Sequence, residues 1–187
     1  MASNPWKKAA SVADLGNLMA DWLEGRHNAY SPSSLSNGPD EETLHLVPIL
    51  AACNRAGFVT TDSQPGETGV GDDGVRWEQR AAATGWVADE RLLDRIRLNA
   101  RRAGMDIVAH RPDSGWRDGA VVTRIGSKGY TWFGRTEGRR KQVAFEWAEV
   151  GGRAVRELRT STYITIFDPV WGRDDRLWPA LANAVRG

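Results

Sequence analysis

Asn54-Arg55-Ala56-Gly57-Phe58-Val59-Thr60-Thr61-Asp62-Ser63-Gln64-Pro65-Gly66 is the stretch from which the fold of this chain can be read. Leu44, Val47, Leu50 and Ala51 precede it at helical spacing, and Ile49 and Cys53 widen the stripe, so a helix is expected to run into it. Gly57 ends that helix, because glycine reaches the left-handed C′ conformation without steric cost. Phe58 to Thr61 are β-formers and predict a short strand, which Pro65-Gly66 closes in a turn. Thr60, Thr61, Ser63 and Asp62 therefore crowd the end of one strand, where α/β folds tend to hold ligands. The same residues would also suit a helix, strand and turn whose polar groups satisfy their own backbone.

The chain has 187 residues, enough for one domain with a real core. Its 25 basic and 24 acidic residues leave a formal charge of +1, so no overall field draws it toward nucleic acid or a membrane surface. Cys53 is the single cysteine, which excludes an internal disulfide and fits a reducing compartment. Its place in an apolar helix marks it as an inert buried thiol. Met1 to Ala10 form a polar leader without the apolar core of a signal peptide, and no apolar run approaches 18 residues. The expectation is a soluble cytoplasmic protein with a leader at 1–10 and a single domain over 11–187.

Outward from the central stretch, Ser11 and Asp14 resemble a capping box, and Val12, Leu15, Leu18, Met19, Trp22 and Leu23 predict a helix ending at Gly25. Arg26 to Asp40 reads as a loop, and Asp40-Glu41-Glu42-Thr43 opens the helix before Gly57. Gly66 to Gly74, with four glycines and three acids, reads as a loop and is no phosphate cradle. Val75 to Val87 reads as one strand, Asp89 to Ala103 as an amphipathic helix, and Met105 to His110 as a strand. Ala120 to Ile125 and Tyr130 to Arg135 form a hairpin, Val143 to Leu158 is partly helical, and Ser161 to Phe167 is a strand. Asp174 or Asp175 then caps a final helix from Arg176 to Val185. Of nine tryptophans, Trp22, Trp77, Trp86, Trp132, Trp147 and Trp178 are expected in the core, with Trp116 and Trp171 in loops as contact residues. Arg135 to Lys141 is the most basic segment, and a solvated turn explains it.

No catalyst emerges. His27, His45 and His110 lack metal-ligand spacing, no serine lies in a nucleophile elbow, and no glycine fingerprint for a dinucleotide follows a strand. The catalytic residues are therefore unknown at this stage, and no metal is expected.

With these residues laid out, nearly the whole chain resembles the S-adenosylmethionine-binding regulatory domain of eukaryotic methylenetetrahydrofolate reductase. That family carries approximately Asn-Arg-Gln-Gly-Ile-Leu-Thr-Ile-Asn-Ser-Gln-Pro, which Asn54, Arg55, Gly57, Thr60, Ser63, Gln64 and Pro65 match without a gap. Trp22-Leu23-Glu24-Gly25 resembles the family's Tyr-Leu-Ser-Gly, and Glu42-Thr43 stands at the family's distance from Ser-Gln-Pro. Gln79-Arg80-Ala81 resembles its Gln-Lys-Ala, Asp89-Glu90 its Arg-Glu, and Asp168 and Trp178 keep its spacing near the end.

The resemblance implies an α+β domain of β-sheets flanked by helices that binds S-adenosylmethionine or S-adenosylhomocysteine. Carried over residue by residue, it implies contacts from Glu42, Thr43, Thr60 and Ser63. Thr131, from the shortened match Thr131-Trp132-Phe133, is a fifth, and Trp132 is a candidate to face the sulfonium. Two features depart from the family. A catalytic barrel of about 250 residues has no room here, and the acidic glycine loop replaces a longer excursion after Ser-Gln-Pro. The expected function is a stand-alone sensor or regulator with a small-molecule ligand and room for a protein partner. Alternatives are an S-adenosylmethionine-consuming methyltransferase or lyase, and an interaction module that kept the fold and lost the ligand.

Overall fold

The computed structural model describes residues 4–27, 38–110, 115, 118–135, 143 and 147–186. Two antiparallel four-stranded sheets flanked by helices make up an α+β architecture, as the sequence led us to expect.

Helix α1 (Val12–Leu23) starts where Ser11 and Asp14 cap each other reciprocally. The Asp14 carboxylate also accepts the Ala10 N–H at 2.8 Å, and that bond is the main cause of its lowered pKa. A 3-10 turn (Glu41–Leu46) precedes α2 (Val47–Arg55) in place of one continuous helix. Pro48 stands in the first turn of α2, where its missing N–H costs nothing. The three-residue period of the 3-10 turn leaves Leu44 exposed rather than in the apolar stripe. Helices α1 and α2 approach so closely that a Cβ at Gly16 would overlap the Asn54 carbonyl oxygen. Arg55 spans the same pair, donating to Glu24 at 2.8 Å and Asp21 at 3.1 Å.

Gly57, at φ +102°, releases the chain from α2 into β1 (Phe58–Gln64). The first sheet is ordered β1, β4 (Ala82–Val87), β8 (Thr162–Phe167), β5 (Asp106–His110). Its two central strands are buried at every residue, so they show no alternation. Between Thr60 and Asp62 the register with β4 shifts, leaving Thr61 as a bulge. The second sheet is ordered β2 (Glu67–Val70), β3 (Arg76–Gln79), β6 (Ala120–Ile125), β7 (Lys128–Phe133).

Here the structure corrects two readings. The stretch read as a glycine loop holds β2, an edge strand of mostly exposed residues. The strand expected over Val75–Val87 is two strands in different sheets. The Arg80 N–H still donates to Val122 O of β6 at 2.8 Å, while Ala81 O already accepts from Asp168 beyond β8 at 2.9 Å. The chain thus changes partners between two adjacent residues.

Helix α3 (Glu90–Ala103) is capped by Asp89 and stopped by Gly104 at φ +71°. Helices α4 (Gly152–Leu158) and α5 (Leu177–Arg186) complete the described set. One large core joins the helices to the first sheet, and a smaller one, Ala82, Val122, Phe133 and Phe167, lies between the sheets. Trp6, within the segment read as a polar leader, is 1% exposed and belongs to the large core. Trp22, Trp86, Trp147 and Trp178 are buried, but Trp77 is half-buried and Trp132 exposed on edge strand β7. Trp116 and most of the basic segment 135–141 lie outside the described residues. No helix among the described residues is long and apolar enough to cross a membrane.

Candidate functional site

The end of β1 meets two other elements. The 3-10 turn that carries Glu42 and Thr43 packs against β1. The segment from Asp168 to Arg176, between β8 and α5, closes over Gly66 so tightly that a Cβ there would overlap the Arg173 carbonyl oxygen. Asp174 holds the three together. Its Oδ1 accepts from the Gly66 N–H at 2.7 Å and from the Trp178 indole N–H at 2.7 Å, and its Oδ2 lies 3.3 Å from His45 Nε2. The sequence offered Asp174 or Asp175 as the cap of the final helix; the bonds of Asp174 reach the turn after β1 and an indole four residues on.

Around this junction several expected residues keep polar groups open. Glu42 is exposed, Thr43 is 6% exposed, and Ser63 is half-buried. Among the described residues, no side-chain hydrogen bond or ion pair engages the Glu42 carboxylate or the Thr43 and Ser63 hydroxyls. Thr60 differs. Its hydroxyl accepts from Asn54 Nδ2 at 2.7 Å while its N–H donates to Asn54 Oδ1 at 3.0 Å. Asn54, fully buried, also donates to Leu50 O at 2.8 Å and so locks the end of α2 to β1. Thr60 is therefore first a structural residue, with one donor hydrogen left on its hydroxyl.

Thr131 lies in the other sheet. It pairs with Thr123 of β6, whose hydroxyl donates to Gln64 Oε1 at 3.2 Å. Gln64 Nε2 in turn donates to Arg80 O and Val122 O, both at 3.0 Å. The sheets are thus stitched at Gln64, and Thr131 is one pairing away from the last residue of β1. The structure brings Glu42, Thr43, Thr60 and Ser63 onto contiguous elements and sets Thr131 on the facing sheet.

Sequence reasoning missed His45, Asn54 and Asp174 as members of this junction. The spacing of Asp174 and Trp178, four residues apart across a helix start, was a readable signal for that pair alone. An open depression of about 360 Å³ lies beside the junction, between α3 and α5, lined by Asn99, Arg102, Asp175, Arg176 and Asn183. It contains none of the residues expected to hold ligand. No cluster of three or more His, Cys, Asp or Glu side chains suited to a metal occurs among the described residues.

Taken together, this is a two-sheet α+β domain with a polar junction, carrying open hydroxyls and a carboxylate, at the end of its first strand. The whole chain, residues 1–187, matches the family described as Domain of unknown function (DUF6919), and it belongs to that family. No curated protein matches it.

Proposed function

We propose that the protein binds S-adenosylmethionine or S-adenosylhomocysteine at the end of β1 and works as a cytoplasmic sensor or regulator. The observation that carries this reading is the set of open polar groups on adjoining elements: the Glu42 carboxylate and the Thr43 and Ser63 hydroxyls. The sequence resemblance to the regulatory domain of methylenetetrahydrofolate reductase supplies the identity of the ligand. An amino group, a ribose diol and an adenine edge are recognised by such acceptors and donors without a phosphate cradle. The carboxylate of Glu42 would pair with the ligand's amino group, and Ser63 and Thr43 with its hydroxyls or ring nitrogens.

Calorimetric titration with both compounds tests the reading. A hydrogen bond to a charged group contributes about 1.5–3 kcal/mol, so Glu42→Gln is expected to weaken binding ~10–100-fold. Ser63→Ala is expected to weaken it ~3–10-fold. Absence of heat with both ligands at millimolar concentration would refute the proposal. Intact ligand recovered after incubation favours a sensor, whereas turnover would make the chain an enzyme.

Tyr130, 66% exposed, and Trp132, 43% exposed, on edge strand β7 favour a second reading, in which this sheet edge receives a protein partner. That reading is independent of the ligand and predicts partner capture lost in Tyr130→Ser/Trp132→Ser.

A further inference from the structure

Arg80 stands where the chain passes from one sheet to the other, its backbone fixed by Val122 O and by the Gln64 side chain. Its guanidinium carbon lies 4.0 Å from the centre of the Trp171 ring and 5.4 Å from that of Phe167. Nη1 donates to Val121 O at 3.2 Å, and Nε is buried without an acceptor. A second guanidinium, Arg124, lies 4.4 Å from the same Trp171 ring. One indole therefore holds two positive charges.

The neighbouring cations have their own carboxylates. Arg124 meets Glu78 at 2.6 Å, and Arg173 meets the fully buried Asp168 at 2.7 Å, an arrangement that raises the Arg173 pKa. Arg80 has no carboxylate within 4.0 Å among the described residues. Asp106 and Asp168 act on it only through longer-range attraction, and burial together with the Arg124 charge opposes its ionised form. A guanidinium in a protein does not give up its proton, so the charge persists half-buried. Aromatic faces offset part of that cost. They do nothing to relieve repulsion between two cations on one ring, whereas an anion would.

We propose that Arg80, held against Trp171 beside Arg124, is a binding site for an oxyanion, the carboxylate or phosphate group of a small-molecule ligand. Guanidinium groups recognise both oxyanions through charge-assisted hydrogen bonds from paired N–H groups. The Nη2 edge of Arg80, which has no partner among the described residues, is where the oxyanion pairs. Trp171, anticipated from sequence as an exposed contact residue, instead positions the cation. The site does not depend on the S-adenosylmethionine reading, and the probes below contain no nucleoside.

The test follows the tryptophan indole and arginine side-chain N–H signals by NMR. Sodium phosphate and sodium acetate are titrated separately, with ionic strength held constant by chloride, and Trp171→Phe assigns the indole signal. The expected result is a saturable shift of the Trp171 indole and Arg80 signals with a midpoint on the order of 1–10 mM. The midpoint rises at least ~10-fold in Arg80→Met and is partly retained in Arg80→Lys. Saturation by phosphate alone assigns a phosphate-bearing ligand, and by acetate alone a carboxylate. No saturation by either anion, or an unchanged midpoint in Arg80→Lys and Arg80→Met, overturns the proposal. Should Arg80→Met not fold, the wild-type titration and the Arg80→Lys midpoint still decide it.

Discussion

Truncating Asp174 should separate its role as a hydrogen-bond acceptor from its charge. In Asp174→Ala, the Gly66 and Trp178 N–H groups both lose the Oδ1 acceptor that they share at 2.7 Å. A hydrogen bond to a charged acceptor contributes about 1.5–3 kcal/mol, and two would give ~3–6 kcal/mol if nothing replaced them. The Asp174 side chain is 33% exposed, so water reaches part of the vacated space and the expected loss is about 2–3 kcal/mol. Asp174→Asn keeps an oxygen where both donors point and loses only the charge and the favourable contact with His45, a cost of about 1 kcal/mol. Near the melting temperature of a chain this long, 1 kcal/mol corresponds to ~2–4 °C. The alanine variant should therefore melt ~4–12 °C below wild type and the asparagine variant ~2–4 °C below. Urea unfolding followed by tryptophan fluorescence and by circular dichroism gives the same comparison in free energy. Equal losses in the two variants, or a loss in Asp174→Ala under about 0.5 kcal/mol, would refute the claim that this acceptor ties the turn after β1 to α5.

Four further outcomes follow from the packing and charge. Gly16→Ala should destabilise by about 1–3 kcal/mol, because its Cβ would overlap the Asn54 carbonyl oxygen, although alanine in an isolated helix is favoured over glycine by ~1 kcal/mol; a stabilised variant in urea unfolding would contradict the close α1–α2 approach. Burial pushes the Cys53 thiol up to about 12, so a thiol reagent at pH 8 should label it only after unfolding, and rapid labelling of the native protein would refute the burial. Its folded pKa lies above the unfolded value of ~8.5, so the folded state retains the proton longer and stability should fall as pH rises from about 8.5 toward 12. Glu24 is shifted the other way, chiefly by its hydrogen bond from Arg55, so its contribution is present above its unfolded pKa of ~4.3 and lost as pH falls through the lower folded value. Arg55→Gln should flatten that acid limb in a pH series of melting temperatures, and an unchanged limb would count against the pairing.

Much of the helical layer was legible because its signals are local. The Ser11 and Asp14 box and Gly57 each act within a few residues of where they stand. The strands were harder for two opposite reasons. β2 carries Glu67, Thr68, Gly69 and Val70 on an exposed edge, with no alternation to betray it. β4, buried on both faces, merges in sequence with β3 because Arg80 and Ala81 look like any interruption of one strand. What makes the break is the switch of hydrogen-bond partners from β6 to the segment after β8, which lies more than forty residues away in each case. The junction at the end of β1 divides in the same way. Glu42, Thr43, Thr60 and Ser63 were reachable by motif, whereas Asp174 meets Gly66 across 108 residues and no local rule announces that. Trp132 has the composition of a core residue, and only its place on an edge strand makes it exposed.

The strand order holds a consequence for how such a chain could be built and altered. β1 and β4 are antiparallel neighbours, as are β5 and β8, yet each pair is separated in sequence by strands of the other sheet. The second sheet is thus made of two excursions: β2–β3 leaves β1 and returns directly to its neighbour β4, and β6–β7 follows β5 before the chain passes through α4 into β8. They join where β3 meets β6. Cutting β2–β3 back to a tight turn would leave the helices and the first sheet with their connections intact. The outgoing and incoming crossings of the first excursion are Gln64-Pro65 and Arg80-Ala81, so the open hydroxyl of Ser63 and the guanidinium of Arg80 both stand at its base. Chemistry gathered at the root of an insertion can be retuned by exchanging the insertion, leaving the scaffold that folds around Trp86 and Trp147 untouched.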